Sequence, residues 1–382
     1  MYNFSFYFPT KVKFGVGLWE KIPEESYFLG RKILLVTGKK HLKETGILSN
    51  LGKTFNNYPI DLYIFDEVPP EPPYYVVDQG AEFAKMKDIE LIIGIGGGSA
   101  LDVAKAISVK VNLTGSIWYY VGDNSEKITV KGLPTILVPT TAGTASEVTK
   151  ISVLINPETK EKLSVNNDNL YATLAIVDPY LTLSLPKDVT ARSGIDAFIH
   201  SLESYLSKNS NILTEPISLT ALRLIYKYLP RVYEDGDRLD LREKVLYAST
   251  ISGIAFTQTG LGGIHAIAHP IGVFANIPHG LACALVTLPV LEYNLDILSR
   301  EKISALSRSV GVYSMRSAKE KILTKIEEFF KSLGITLGLK NYGIDKSMLP
   351  IIAKEAAKMG AYKTNPRTLT YEAVIAILQK AW

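Results

Sequence analysis

The sequence predicts an α/β domain built on a mostly parallel sheet, followed by an all-helical domain. Two observations carry this. Before residue 185, short apolar runs alternate with helical stretches; after Leu185-Pro186 only helical periodicity remains. At 382 residues the chain is also too long for one simple core and suits two domains, read as 1–185 and 186–382.

The elements justify this in order. Residues 33–37, 91–95, 136–138 and 175–177 are short apolar runs bounded by Gly, Pro, Thr or Asp, and each reads as a buried strand. Strands alternating with helices imply a parallel sheet covered on both faces, a Rossmann-like domain. Residues 151–155 and 162–165, joined by the turn-forming Asn156-Pro157-Glu158-Thr159, read as a β-hairpin. In the second half, Ile195, Ile199, Leu202 and Leu206 recur at helical spacing, and 217–228, 244–256, 318–333 and 371–380 continue it. A cleft between two such domains is a usual place for a ligand.

Composition narrows the function classes. Hydrophobic residues make up 47% and charged residues 21%, enough apolar material for two cores. The 42 basic and 38 acidic residues are interspersed, so nucleic acid is not an expected partner. No apolar run approaches the ~20 residues that span a bilayer, and the N-terminus lacks the pattern of a secretion signal. A single cysteine, Cys283, excludes an internal disulfide. A soluble, cytoplasmic protein is expected.

Two loops point to a phosphate-bearing ligand. Gly94-Ile95-Gly96-Gly97-Gly98-Ser99 joins a strand to a helix, and glycines there let backbone N–H groups approach a pyrophosphate beside the helix N-terminus. Asp102, one turn into that helix, can hydrogen-bond a ribose or an amide of the same ligand. Pro139-Thr140-Thr141-Ala142-Gly143-Thr144-Ala145-Ser146-Glu147 follows another strand and offers four hydroxyls at the strand end where α/β sheets bind ligands. The same residues also suit a capped helix start. After the first strand, Gly38 is followed by Lys39 and Lys40. The lysines are either solvated charges or partners for a 2′-phosphate; with no acid to accept a ribose 2′-OH, NADP(H) is favoured over NAD(H).

Four of the five histidines, His200, His265, His269 and His279, fall in one stretch of the second domain. Asp196 and His200 are four apart, hence on one helix face, with Glu203 on the same stripe as a supporting partner or a surface acid. His265 and His269 repeat the spacing, and His279 stands before Gly280 on a loop. Three imidazoles plus one carboxylate suit Zn²⁺ or Fe²⁺ rather than Mg²⁺ or Ca²⁺.

Together these motifs resemble the iron-containing (group III) alcohol dehydrogenase family. The resemblance rests on Gly96-Gly97-Gly98-Ser99 with Asp102, on Pro139 through Glu147, on Gly194-Ile195-Asp196-Ala197-Phe198-Ile199-His200, on His265 through Pro270, on Pro278-His279-Gly280 and on Asn365-Pro366-Arg367. It implies a dehydroquinate synthase-like architecture and hydride transfer between a primary alcohol or small diol, its aldehyde, and NADP(H). It implies Asp196, His200, His265 and His279 as ligands of Fe²⁺ or Zn²⁺, and His269 as a nearby non-ligand with a catalytic role in proton relay or substrate contact. It places Gly96, Gly97, Gly98 and Ser99 on the pyrophosphate, and Asp102, Thr140, Thr141, Thr144 and Lys162 along the cofactor. A homodimer is implied as well. Family members often carry Asp where Gly38 stands, and many have an aromatic at Ala275 and Ala at Ser201. The rival readings are a metal-dependent, NAD-assisted lyase of the dehydroquinate synthase type, a glycerol or polyol dehydrogenase, and a non-catalytic nucleotide-binding protein with a structural metal. The lyase needs a basic cluster for a phosphate leaving group, and few lysines or arginines stand around Asp196 to His279.

Overall fold

The computed structural model describes residues 3–382 and divides the chain into two units, Tyr7–Ser184 and Leu185–Trp382; residues 3–6 group with the second.

The first unit holds one six-stranded sheet of β1 (Lys11–Phe14), β2 (Lys32–Gly38), β3 (Asp61–Val68), β4 (Leu91–Gly96), β5 (Thr135–Pro139) and β8 (Leu174–Val177). β6 (Ile151–Asn156) and β7 (Glu161–Asn166) form the expected antiparallel hairpin. The sheet is parallel throughout, in the order β1-β8-β5-β4-β2-β3. Its central strands carry unbroken apolar runs, Ile33-Leu34-Leu35-Val36 in β2 and Ile136-Leu137-Val138 in β5, because both faces are covered. Leu34, Val36, Ile92 and Leu137 pack on one side with α2 (Tyr74–Met86) and α3 (Gly98–Lys110). Ile33, Leu35, Ile93, Ile136 and Val138 pack on the other with α1 (Ile47–Phe55). The sequence reading omits both edge strands: β1 is short and lacks an apolar run, and in β3 the run Leu62-Tyr63-Ile64-Phe65 is only partly buried and is flanked by Asp61 and Asp66.

The chain runs from β2 to β3 at one edge, then returns past β2 to β4. The crossover reverses there, so the C-terminal ends of β2 and β4 flank the topological switch point, where open α/β sheets bind ligands. Register sets Val36 beside Gly94 and Gly96 beside Pro139. Gly38, the glycine loop and the threonine loop thus leave neighbouring strands at one edge.

The second unit is helical, as expected. Its main helices are α4 (Lys187–Leu206), α5 (Thr214–Glu234), α6 (Leu239–Thr259), α7 (Gly263–Ala275), α8 (His279–Leu295), α9 (Arg300–Ser309), α10 (Ala318–Ser332) and α11 (Tyr371–Ala381). Ile195, Ile199, Leu202 and Leu206 are buried, and Phe198 packs on Phe329 with ring centroids 4.9 Å apart. Among the described residues no helix is long and apolar enough to cross a membrane.

Candidate metal centre and nucleotide-binding loops

α4 presents Asp196 and His200 one turn apart, both buried. α7 contributes His265 from its first turn, and α8 begins at His279. Three helices separated in sequence thus converge on one oxygen. Asp196 Oδ1 lies 3.6 Å from His200 Nε2, 3.5 Å from His265 Nε2 and 3.5 Å from His279 Nε2. Four donors at ~2.1 Å from a central ion in a tetrahedron are separated by about 3.4 Å, so the spacing fits one Zn²⁺- or Fe²⁺-sized ion. Asp196 Oδ1 and His265 Nε2 are buried and have no hydrogen-bond partner, which is costly unless a cation takes their lone pairs.

The electrostatics agree. Burial pushes the Asp196 carboxyl up, but His200, His279 and His265 outweigh it and hold the group well below the usual carboxylate range. Burial pushes His265 down, yet Asp196 and Glu203 raise it to about 9. The cluster attracts positive charge although it is buried.

Glu203, on the same face of α4, is a supporting partner and not a surface acid. Its carboxylate accepts from the Ile264 N–H at 2.6 Å and from His265 Nδ1 at 2.6 Å. Asn365 Oδ1 accepts from the Gly263 N–H at 3.0 Å and is itself locked to Asn294. Glu203 and Asn365 together satisfy the first N–H groups of α7, which have no acceptor within the helix. A carboxylate only accepts, so Nδ1 of His265 carries a proton, and in the neutral ring the Nε2 lone pair is the one that faces Asp196. On the other side, α8 approaches α4 so closely that a Cβ on Gly280 would stand 2.0 Å from the Arg192 carbonyl oxygen. That contact sets where His279 begins its helix.

His269, one turn beyond His265, has its ring centroid 5.0 Å from that of His279 and 6.4 Å from that of His265. Phe256, a buried residue of α6, stacks on His200 with centroids 4.3 Å apart. Cys283, notable in the sequence only as a solitary thiol, lies one turn into α8 with Sγ 3.8 Å from His279 Nε2. The fifth histidine, His41, sits in the other unit, 3.3 Å from Ser184 Oγ.

In the first unit the two loops meet. Gly96 adopts φ +152°, a conformation side chains disfavour, and a Cβ on Gly98 would lie 2.5 Å from Thr144 Cγ2. Thr141 borders Gly97 in the same way at 3.4 Å, and the Thr140 N–H donates to the Gly96 carbonyl at 2.9 Å. α3 opens at Gly98 without a side-chain cap, and the Ala100 N–H in its first turn donates to the Gly97 carbonyl at 3.0 Å. Asp102 braces the protein: its carboxylate accepts from Ser146 Oγ and from the Val153 N–H, and it pairs with the fully buried Lys105. Lys162 pairs with Glu71 at 2.9 Å, and the Glu71 N–H donates to Ser99 Oγ at 3.2 Å. Glu71, in the proline-rich 69–73 segment, has no motif to betray it; only the fold ties Lys162 to the glycine loop. Lys39, expected to face a phosphate, forms an exposed pair with Glu67 at 2.8 Å.

Comparison with known proteins agrees with both halves. Residues 9–179 match the family model "Iron-containing alcohol dehydrogenase", and residues 190–382 match that of the C-terminal part of the Fe-containing alcohol dehydrogenase family. The chain is 31% identical over 382 residues to the NAD-dependent methanol dehydrogenase of Bacillus methanolicus, covering 99% of each. It is 33% identical over 386 residues to the 1,3-propanediol dehydrogenase of Klebsiella pneumoniae, again covering 99% of each. The solved structure of a 1,3-propanediol oxidoreductase matches with a TM-score of 0.94 at 33% identity, covering 100% of both chains.

Proposed function

The chain belongs to the iron-containing alcohol dehydrogenase family, and we propose that it transfers hydride between a primary alcohol or small diol, its aldehyde, and NADP(H). The observation that carries this reading is the set of three imidazole nitrogens at 3.5–3.6 Å around the buried, unpartnered Asp196 Oδ1. A divalent ion held by Asp196, His200, His265 and His279 supplies Lewis acidity towards an alcohol or carbonyl oxygen, and a nicotinamide supplies the hydride acceptor or donor.

The chain's own groups do the rest. Glu203 keeps His265 in the tautomer whose Nε2 lone pair faces Asp196. His269 sits beside the cluster without belonging to it and carries the reaction's proton, a task suited to an imidazole because one ring nitrogen can accept while the other donates. Gly96 to Ser99 and Thr140, Thr141 and Thr144 cradle the pyrophosphate and ribose with backbone N–H groups and hydroxyls. The preference for NADP(H) rests on Gly38. A Cβ there would meet only the Val68 carbonyl oxygen, at 3.6 Å, so the backbone does not demand glycine, and no acid occupies the position. Lys39 can change partner, since its pair with Glu67 is exposed and such pairs hold weakly in water. A cytoplasmic homodimer completes this reading.

The test is to strip the purified protein, restore Fe²⁺ or Zn²⁺, and follow the reduced nicotinamide band near ~340 nm with a panel of alcohols and aldehydes. Metal-dependent turnover, faster with NADPH than with NADH, is expected. No hydride transfer with any substrate would overturn the dehydrogenase assignment. Wild-type activity in His265→Ala would overturn the ligand set.

A further inference from the structure

We propose that Lys105 is a positioning residue for the nucleotide: its buried ammonium clasps α3, the helix of the glycine loop, to the threonine loop and fixes the gap between them. The proposal rests on the nucleotide-binding reading of these loops and deepens it with a residue which that reading leaves unused.

Lys105 lies in the interior of α3, and none of it reaches solvent. A lysine is fully buried almost only where its charge is met. Its Nζ faces Asp102 Oδ1 at 3.2 Å. It donates to the Ser146 carbonyl at 3.0 Å, to Thr149 Oγ1 at 3.1 Å, to the Ile151 carbonyl and, more distantly, to the Thr149 carbonyl at 3.4 Å. An ammonium has only three hydrogens, so this shell offers more acceptors than the lysine needs. Residues 146–151 turn their oxygens inward around the charge, as a chain does around a bound cation. Ala145, just before them, takes φ +51°, a conformation that a side chain keeps only where the surroundings impose it.

Two contacts lead from this shell to the glycine loop. The Ser146 N–H donates to Thr144 Oγ1 at 3.3 Å, and Thr144 stands so close to Gly98 that a Cβ there would lie 2.5 Å from Cγ2. On the other side of the ammonium, Asp102 belongs to the helix that Gly98 opens. One of its oxygens accepts from Ser146 Oγ and the other from the Val153 N–H at 2.9 Å. The carboxylate expected to meet a ribose or an amide is thus engaged by the protein. Without the lysine's charge, Asp102 and the carbonyls of Ser146, Thr149 and Ile151 lose a buried donor. Relieving that loss requires residues 146–151 to shift, and Thr144 moves with them.

The test titrates the full-length, metal-loaded protein with NADPH and with NADH, followed by the fluorescence of the reduced nicotinamide. Lys105→Met keeps the length of the side chain and removes its charge. A hydrogen bond to a charged group is worth about tenfold to a hundredfold in an equilibrium constant, so the Kd for both nucleotides should rise at least about tenfold. Stoichiometry separates positioning from mere support. A lysine that only stabilises the domain lowers the melting temperature and the number of binding sites, yet leaves the Kd of the folded molecules unchanged. A folded Lys105→Met protein with the wild-type Kd therefore overturns the proposal and leaves the nucleotide reading standing. Should that variant not fold, Lys105→Gln, which keeps an NH₂ donor, replaces it with the same two outcomes. Failure of both to fold overturns the proposal, since the lysine then supports the domain instead of positioning its loops. A wild type that binds neither NADPH nor NADH overturns the nucleotide reading, and this proposal with it.

Discussion

Replacing Glu203 by Gln should damage metal binding while leaving the side chain's shape intact. In the wild type one carboxylate accepts from two buried donors, the Ile264 N–H and His265 Nδ1, each at 2.6 Å. Glutamine offers one oxygen and one NH₂. If the oxygen faces Ile264, the amide hydrogens meet Nδ1–H and force the proton onto Nε2, the atom turned towards Asp196. If the oxygen faces His265, the Ile264 N–H is stranded. Leaving one such buried donor unpaired costs ~1–3 kcal/mol. Loss of a group that orients a metal-binding histidine typically lowers affinity about 10–100-fold, or about 1.4–2.7 kcal/mol. Glu203→Ala strands both donors, so its unfolding free energy should fall by about 2–6 kcal/mol. Zinc titration against a competing chelator reads the first effect, and denaturant unfolding with and without metal reads the second. A well-folded Glu203→Gln protein that binds zinc as tightly as wild type would refute the reasoning.

Other substitutions probe separate parts. Gly280→Ala puts a methyl 2.0 Å from the Arg192 carbonyl oxygen, so it should cost ~1–3 kcal/mol or more and release metal, as denaturant melts and metal analysis would report. Gly98→Val drives a side chain into Thr144; nucleotide affinity measured by fluorescence titration should fall while metal content stays at the wild-type level. Gly38→Asp supplies the missing acid at the end of β2 and should move the kcat/KM preference from NADPH towards NADH. Metal at about 100 times its Kd should add ~2.7 kcal/mol to the stability of the folded state, and chelation should remove it.

Periodicity and punctuation alone carried the central strands, the hairpin, the switch to helices near residue 185 and the gathering of histidines. Each depends on residues close in sequence: a strand covered on both faces is apolar at every position, and a helix repeats its buried side every turn. Edge strand β1 lacked that signal because solvent, not core, decides its side chains; in β3 the short run Leu62-Tyr63-Ile64-Phe65 is broken by Asp61, Asp66 and Glu67, which weakens it. The metal cluster was legible as a residue inventory, since imidazoles and a carboxylate suggest chemistry wherever they lie. Only tertiary structure decided which atoms meet. The packing of α4, α7 and α8 set three Nε2 atoms around Asp196 Oδ1 and turned Glu203 into the group that orients His265, while the fold of the first unit paired Lys39 with Glu67 and Lys162 with Glu71. Residues so far apart along the chain carry no local record of their partners, because their contact exists only after the elements have packed.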